Sequence, residues 1–328
     1  MRRALVLSAV AACSHPTGGG LLTHVTDVAM PGRATRFDYQ EVSAGQGQLV
    51  VAHMDDDAVL VLDLRDGAVR AQLTGIATPR GVAVAEELGL IFVTSMPDRL
   101  VIIDSHTLQE VARVATGAGP DGDAWDPVDQ IVGVSDQRDG ALSLIAGAGR
   151  GTRTPVALGV ETGNVTYDAP RGWFWITVVT ASPPDQLVAV DPKTAAVTAR
   201  IALPGCGGAH GLRLHPDGQS AYVACEDDDR LARVDLGGDH ALSTAPTGKG
   251  PDVMALDPVR GWLYVAAEHG ELSVFDLQQP GVALVGRQAV GDHAHTVAVD
   301  PATHRVFLPL PAGDDGTPVL RIMRPAEN

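Results

Sequence analysis

The chain has 328 residues, 45% of them hydrophobic and only 4% aromatic, with 37 glycines, 22 prolines and a formal net charge of −16. An acidic chain whose only lysines are Lys193 and Lys249 argues against a nucleic-acid partner, because such binding needs basic side chains to displace counterions. Length alone allows two domains, and the glycine and proline content suits a turn-dense, all-β protein.

In chain order, Arg2 and Arg3 precede the apolar run Ala4–Ala12. That run is too short to span a bilayer but fits the core of a signal peptide. Val10-Ala11-Ala12-Cys13 resembles a bacterial lipobox, in which small residues precede a cysteine that becomes lipidated. Residues 1–12 are therefore expected to be a signal peptide, Cys13 a lipidation site and residues 13–20 a flexible tether. Residues 21–328 then form one domain. The expected location is periplasmic or cell-surface, with the membrane touched only through the lipid anchor.

Leu21–Met30 reads as a strand that precedes the first full repeat. From there a unit of three short strands recurs. It is clearest at Gly250–Leu277. Asp252–Leu256 is apolar, Asp257–Gly261 turns, Trp262–Ala267 is rich in aromatic and β-branched residues, and Glu271–Leu277 alternates. The second strand repeats as Leu49-Val50-Val51, Ile91-Phe92-Val93, Val132-Gly133-Val134, Phe174-Trp175-Ile176, Ala221-Tyr222-Val223, Leu263-Tyr264-Val265 and Val306-Phe307-Leu308. Successive copies lie 42, 41, 42, 47, 42 and 43 residues apart. A WD40-like period of this length, built of strands alone, predicts a seven-bladed β-propeller of four-stranded antiparallel blades. Blade seven supplies only three strands before the chain ends, so Leu21–Met30 is expected to complete it and remove an open edge.

The hydrophobic-aromatic-Val triplets, the Asp-Pro turns and the Gly-x-x-Pro-Asp openings resemble those of YVTN-repeat, YncE-like β-propellers. The resemblance covers nearly the whole chain after the signal-like start. It implies the fold, and it leaves the activity open among binding proteins, lyases, lactonases and electron-transfer subunits. No Cys-x-x-Cys-His haem motif is present.

In a propeller the start of each first strand and the end of each second strand collect on one face. The first set is Arg36, Arg80, Asp121, Gly163 followed by Asn164, His210, Asp252 and His295; the second includes His53, Ser95, Asp136, Cys225 with Glu226, and Glu268. The expected ligand site at the channel mouth is therefore His210, Asp252, His295, Asp121, Asn164, Arg80, Glu268 and His53. Imidazole with carboxylate suits a divalent metal, for which His210, Asp252 and His295 are the candidates, and it also suits acid–base chemistry. No catalytic residue is assigned. The preferred function is binding or scaffolding of a small polar molecule or a protein partner. The alternative is a metal-assisted lactone hydrolase or lyase.

Cys206 and Cys225 admit three readings. A disulfide leads in an oxidising compartment, closing a loop of about 18 residues worth on the order of 3 kcal/mol. A metal site with His210 and a pair of free thiols are the others. The runs Asp55–Asp57 and Asp227–Asp229 lack the glycine and glutamate of a calcium loop and read as solvated turns.

Overall fold

A computed structural model describes residues 20–279 and 281–327. The signal-like residues 1–12, Cys13 and all but the last residue of the tether lie outside them. The described residues form seven four-stranded antiparallel sheets, arranged as a seven-bladed propeller. In blade six the spatial order follows the sequence: Pro251–Asp257 inside, then Trp262–Ala267, Glu271–Asp276 and Ala283–Ala289 outermost. The inner strands of the other blades are Gln40–Ser43, Pro79–Ala85, Pro120–Asp126, Glu161–Asp168, Ala209–Leu214 and Ala298–Asp300. Neighbouring inner strands touch around the complete ring.

The blades are held by packing between sheets. Along a strand successive side chains point to opposite faces. Leu263 and Val265 pack with Tyr222 and Leu231 of blade five, whereas Tyr264 and Ala266 pack with Val306 and Leu308 of blade seven. Both faces of the second strand are thus buried, which is why it reads as an unbroken apolar triplet. Seven such clusters, one between each pair of blades, make up the core. All four tryptophans pack against them.

Blade seven joins both ends of the described chain. Leu22–Ala29 runs antiparallel to Val319–Pro325, with Leu22 opposite Pro325 and Ala29 opposite Val319. Arg321 grips Asp27 through two hydrogen bonds of 2.9 and 2.6 Å.

The inner strands share a local irregularity. In blades two to six the pairing with the second strand slips by one residue, for example between Ala209–Cys225 and Leu212–Val223. The bulged residues are Arg80-Gly81, Asp121-Gly122, Gly163-Asn164, His210-Gly211 and Asp252-Val253. A bulge bends the strand and re-aims side chains. The glycines let adjacent blades close up. A Cβ on Gly211 would lie 1.9 Å from the Asp252 carbonyl oxygen, and one on Gly81 2.3 Å from that of Asp121. Second-strand threonines reach across to carbonyls of the next blade's bulge. Thr94 Oγ1 donates to Asp121 O at 2.5 Å, and Thr177 Oγ1 to His210 O at 2.6 Å.

The acidic runs are ordered turns. Met54–Asp56 and Glu226–Asp228 are single 3-10 turns. Asp57 accepts a hydrogen bond from Thr78 N at 2.8 Å and Asp229 one from Gly250 N at 2.9 Å, so each turn holds the loop entering the next blade.

Cys206 and Cys225 form a disulfide, with Cα atoms 4.8 Å apart, buried in the cluster between blades four and five. It links the loop entering blade five to the end of that blade's second strand. Its loss in a Cys206→Ser, Cys225→Ser double variant is expected to lower unfolding free energy by about 3 kcal/mol in urea titrations. Gly211→Ala, which drives a methyl group into the backbone of blade six, is expected to cost about 3 kcal/mol in the same measurement. A Gly211→Ala midpoint equal to wild type would show that the two inner strands are not in contact there.

Candidate functional site

The bulges place Arg80, Asp121, His210 and Asp252 at one mouth of the channel. Gly163, the equivalent position in blade four, has no side chain, and His210 extends across to blade three. Its Nδ1 lies 3.1 Å from Asp252 Oδ1 and its Nε2 3.5 Å from Asp121 Oδ2. Asp121 also accepts from Arg80 Nη1 at 2.9 Å and from the Tyr39 hydroxyl at 3.3 Å. Arg80 continues to Gln137 at 2.9 Å, and Gln137 to Glu161 at 2.9 Å. On the other side Arg36 binds both oxygens of Glu268, at 3.1 and 2.7 Å, and lies 3.8 Å from Asp252. One connected network of ion pairs therefore crosses the mouth.

His295 is the exception within it. It lies in the loop ahead of its inner strand rather than at the start of that strand, because Ala298 is the first paired residue. Its side chain is 1% exposed and neither ring nitrogen has a hydrogen-bond partner. The nearest carboxylate, that of Asp38, is 3.9 Å from Nε2. Donor atoms of Asp252, Glu268 and His295 all fall within 4.8 Å of one another. His210, expected in a metal trio with Asp252 and His295, is instead turned into its pair with Asp252.

Two expected rim residues stand apart. His53 is fully buried, stacks on Phe37 with ring centroids 4.1 Å apart and contacts Thr35 Oγ1 at 3.1 Å. It is the last paired residue of its strand, opposite Ala58, and its ring packs inside blade one instead of at the mouth. Asn164 accepts from its own neighbour, Val165 N, at 2.8 Å and lines the channel beyond the network. Of the second-strand ends, Asp136 binds Ser143 and the Gly117 amide, and Cys225 is spent in the disulfide. The sequence reading missed Asp38 and Tyr39. Strand alternation from Arg36 puts Asp38 on the same side and was the available signal.

The charges set one another. Burial disfavours the imidazolium of His210, but its bond to Asp252 and the charges of Asp252, Asp121 and Glu226 outweigh this and raise it to about 10. Burial alone would raise Asp252, yet His210, His295 and Arg36 bring it down to about 2. Burial and the charge of Asp38 push Asp121 above the usual carboxylate range, against the pull of His210 and Arg80. Burial opposes charge on His295 too, but Asp38 and Asp252 raise it.

These shifts fix a pH dependence. His210 lies above its ordinary 6.5, so its contribution to stability is complete below about pH 6.5 and lost as pH rises through about 10. Asp252 lies below its ordinary 3.8, so its contribution is complete above that and lost as pH falls through about 2. The stability difference between wild type and His210→Gln is expected to reach about 3 kcal/mol between pH 4 and 6.5. It should shrink towards pH 10 when urea titrations are repeated across that range.

No family model matches the chain, and no curated protein matches it. Among solved structures it is similar to a chain of the Kuenenia stuttgartiensis hydrazine synthase. The TM-score is 0.78 at 15% identity, covering 92% of this chain and 98% of that one. It is also similar to a chain in a structure of the mitotic checkpoint complex, with a TM-score of 0.75 at 12% identity and 99% of both chains covered. At such identities the likeness shows the propeller fold alone, a fold compatible with binding or scaffolding.

Proposed function

We propose that the chain is an exported, YVTN/YncE-like binding protein that holds a small polar molecule at the channel mouth. The observation that carries this reading is His295. A buried imidazole without a hydrogen bond is costly, and a ligand polar group beside it would supply the missing partner. Arg36, more exposed than Arg80, Glu268, His210, Asp252 or Asp121, would meet the ligand first, together with the Glu268 carboxylate it holds. The disulfide supports export, since such bonds persist in oxidising compartments. The lipobox-like Cys13 supports anchorage by a lipid.

Binding is favoured over hydrolysis or lyase chemistry by the state of the network. A general base needs a group free to take a proton at working pH. His210 is held charged and Asp252 ionised, each by the other. A second reading, in which Asp252, Glu268 and His295 hold a divalent cation, is favoured by the closeness of their donor atoms. It requires Arg36 to release Glu268.

Thermal melts in the presence of sugars, hydroxy acids, amino acids, zinc and calcium test both. A stabilising compound is expected to lose its effect in His295→Gln and in Glu268→Gln. Both variants should melt close to wild type without it, as the mouth contributes little apolar burial. A shift with zinc or calcium alone selects the cation. Variants that lose stability while wild type responds to nothing would make the cluster structural and end the proposal.

A further inference from the structure

The half of the channel away from the mouth is built differently. Beyond Tyr39, whose hydroxyl is committed to Asp121, all seven blades wall a cavity of about 490 Å³ whose lining mixes polar and apolar groups. That volume falls within the roughly 300–1,000 Å³ usual for small-molecule sites. Two of its acidic neighbours are unavailable. Both carboxylate oxygens of Asp123 are shut away beside Gly81, and Glu87 accepts from the Trp125 indole at 2.6 Å.

One ring of positions around the cavity breaks its own pattern. In every blade one inner-strand residue lies opposite the middle residue of the apolar triplet, and all seven line the cavity. In blades two, three, six and seven it is an alanine, Ala83, Ala124, Ala255 and Ala298, and in blade four it is Thr166. In blade one it is Glu41, opposite Val50, and in blade five Arg213, opposite Tyr222. The small members leave room into which two long, oppositely charged side chains extend from non-adjacent blades.

These two are half-buried and do not pair. Burial pushes the Glu41 carboxyl above its ordinary range and Arg213 pulls it back, but through space and without a hydrogen bond. The hydrogen bond that Arg213 does make, to the carbonyl of its own neighbour Leu212, is long at 3.5 Å. Neither oxygen of Glu41, and neither Nε nor Nη2 of Arg213, is sealed off from the cavity they line. A lone cation there would be repelled by the guanidinium and a lone anion by the carboxylate. A molecule that carries both charges satisfies both.

We propose that this half of the channel binds a small zwitterionic amino acid, its carboxylate accepting from the Arg213 guanidinium and its ammonium donating to the Glu41 carboxylate. Guanidinium and carboxylate make strong, charge-assisted hydrogen bonds. A hard metal ion fits less well, because it requires six or more oxygen ligands and would meet one free carboxylate beside a fixed positive charge. The mouth residues take no part, so this proposal and the mouth reading stand or fall separately.

Isothermal titration calorimetry with the series glycine, 3-aminopropanoate, 4-aminobutanoate and 5-aminopentanoate tests it, each set against the plain amine and the plain acid of the same chain length. Wild type is expected to bind the member that best spans the gap at least roughly tenfold more tightly than its amine or its acid, the effect of one charge-assisted hydrogen bond. Glu41→Gln should bind the plain acid as well as the zwitterion, and Arg213→Gln the plain amine as well as the zwitterion. The exchange Glu41→Arg with Arg213→Glu should restore the preference, the ligand lying the other way round. The proposal is overturned if no member of the series binds, if an amine or acid binds wild type as tightly, or if the preference survives both single substitutions. Binding that is lost in His295→Gln but kept in both channel variants belongs to the mouth and overturns it equally. Should one single variant fail to fold, the wild-type comparison and the other variant decide the matter.

Discussion

The structure depends on how closely neighbouring inner strands approach. Seven sheets can surround a channel only if their inner edges converge, and in blades two and five the contact is a glycine Cα against a carbonyl of the next blade. Each contact sits at a bulge, where the ladder with the second strand is interrupted and the freed backbone groups turn towards the next blade. Threonines of the second strands of blades two and four then bind bulge carbonyls of the next blade, those of Asp121 and His210. A ring this narrow forces side chains from non-adjacent blades together, and the pairing of His210 with Asp121 across the gap left by Gly163 follows directly.

Convergence makes an electrostatic demand as well. Several carboxylates at one mouth would repel one another if unpaired. They are met by Arg36, Arg80 and a charged His210, so a strongly acidic protein carries a nearly balanced plug at its axis. The plug divides the channel. On one side polar groups are mutually satisfied except at His295 and at Nε of Arg80. On the other, all seven blades wall a cavity of about 490 Å³ whose lining mixes polar and apolar groups.

Much of the fold was legible because the second strands bury both faces, so their apolar triplets stand out at a constant period. The outer strands were not legible. Val69–Thr74 alternates between half-buried and exposed, a pattern too polar to separate from a loop. The mouth was legible at Arg80, Asp121, His210 and Asp252, which occupy equivalent bulge positions. It failed at His53, whose ring stacks on Phe37 inside blade one, and at His295, where the loop replaces the start of a strand.

The closing strand has a kinetic consequence. Asp27 and Arg321, partners in the last blade, are 294 residues apart in sequence. Six blades can form from neighbouring segments, but the seventh waits for the two most distant parts of the domain to meet. Contacts of such separation are made late, after the entropy of closing the largest loop has been overcome. Until then Leu22–Ala29 is an unpaired strand and blade six has an uncovered apolar face, the state in which a β-protein is most open to joining another copy of itself. The order of assembly, rather than the strength of any one contact, therefore sets when this molecule is most vulnerable.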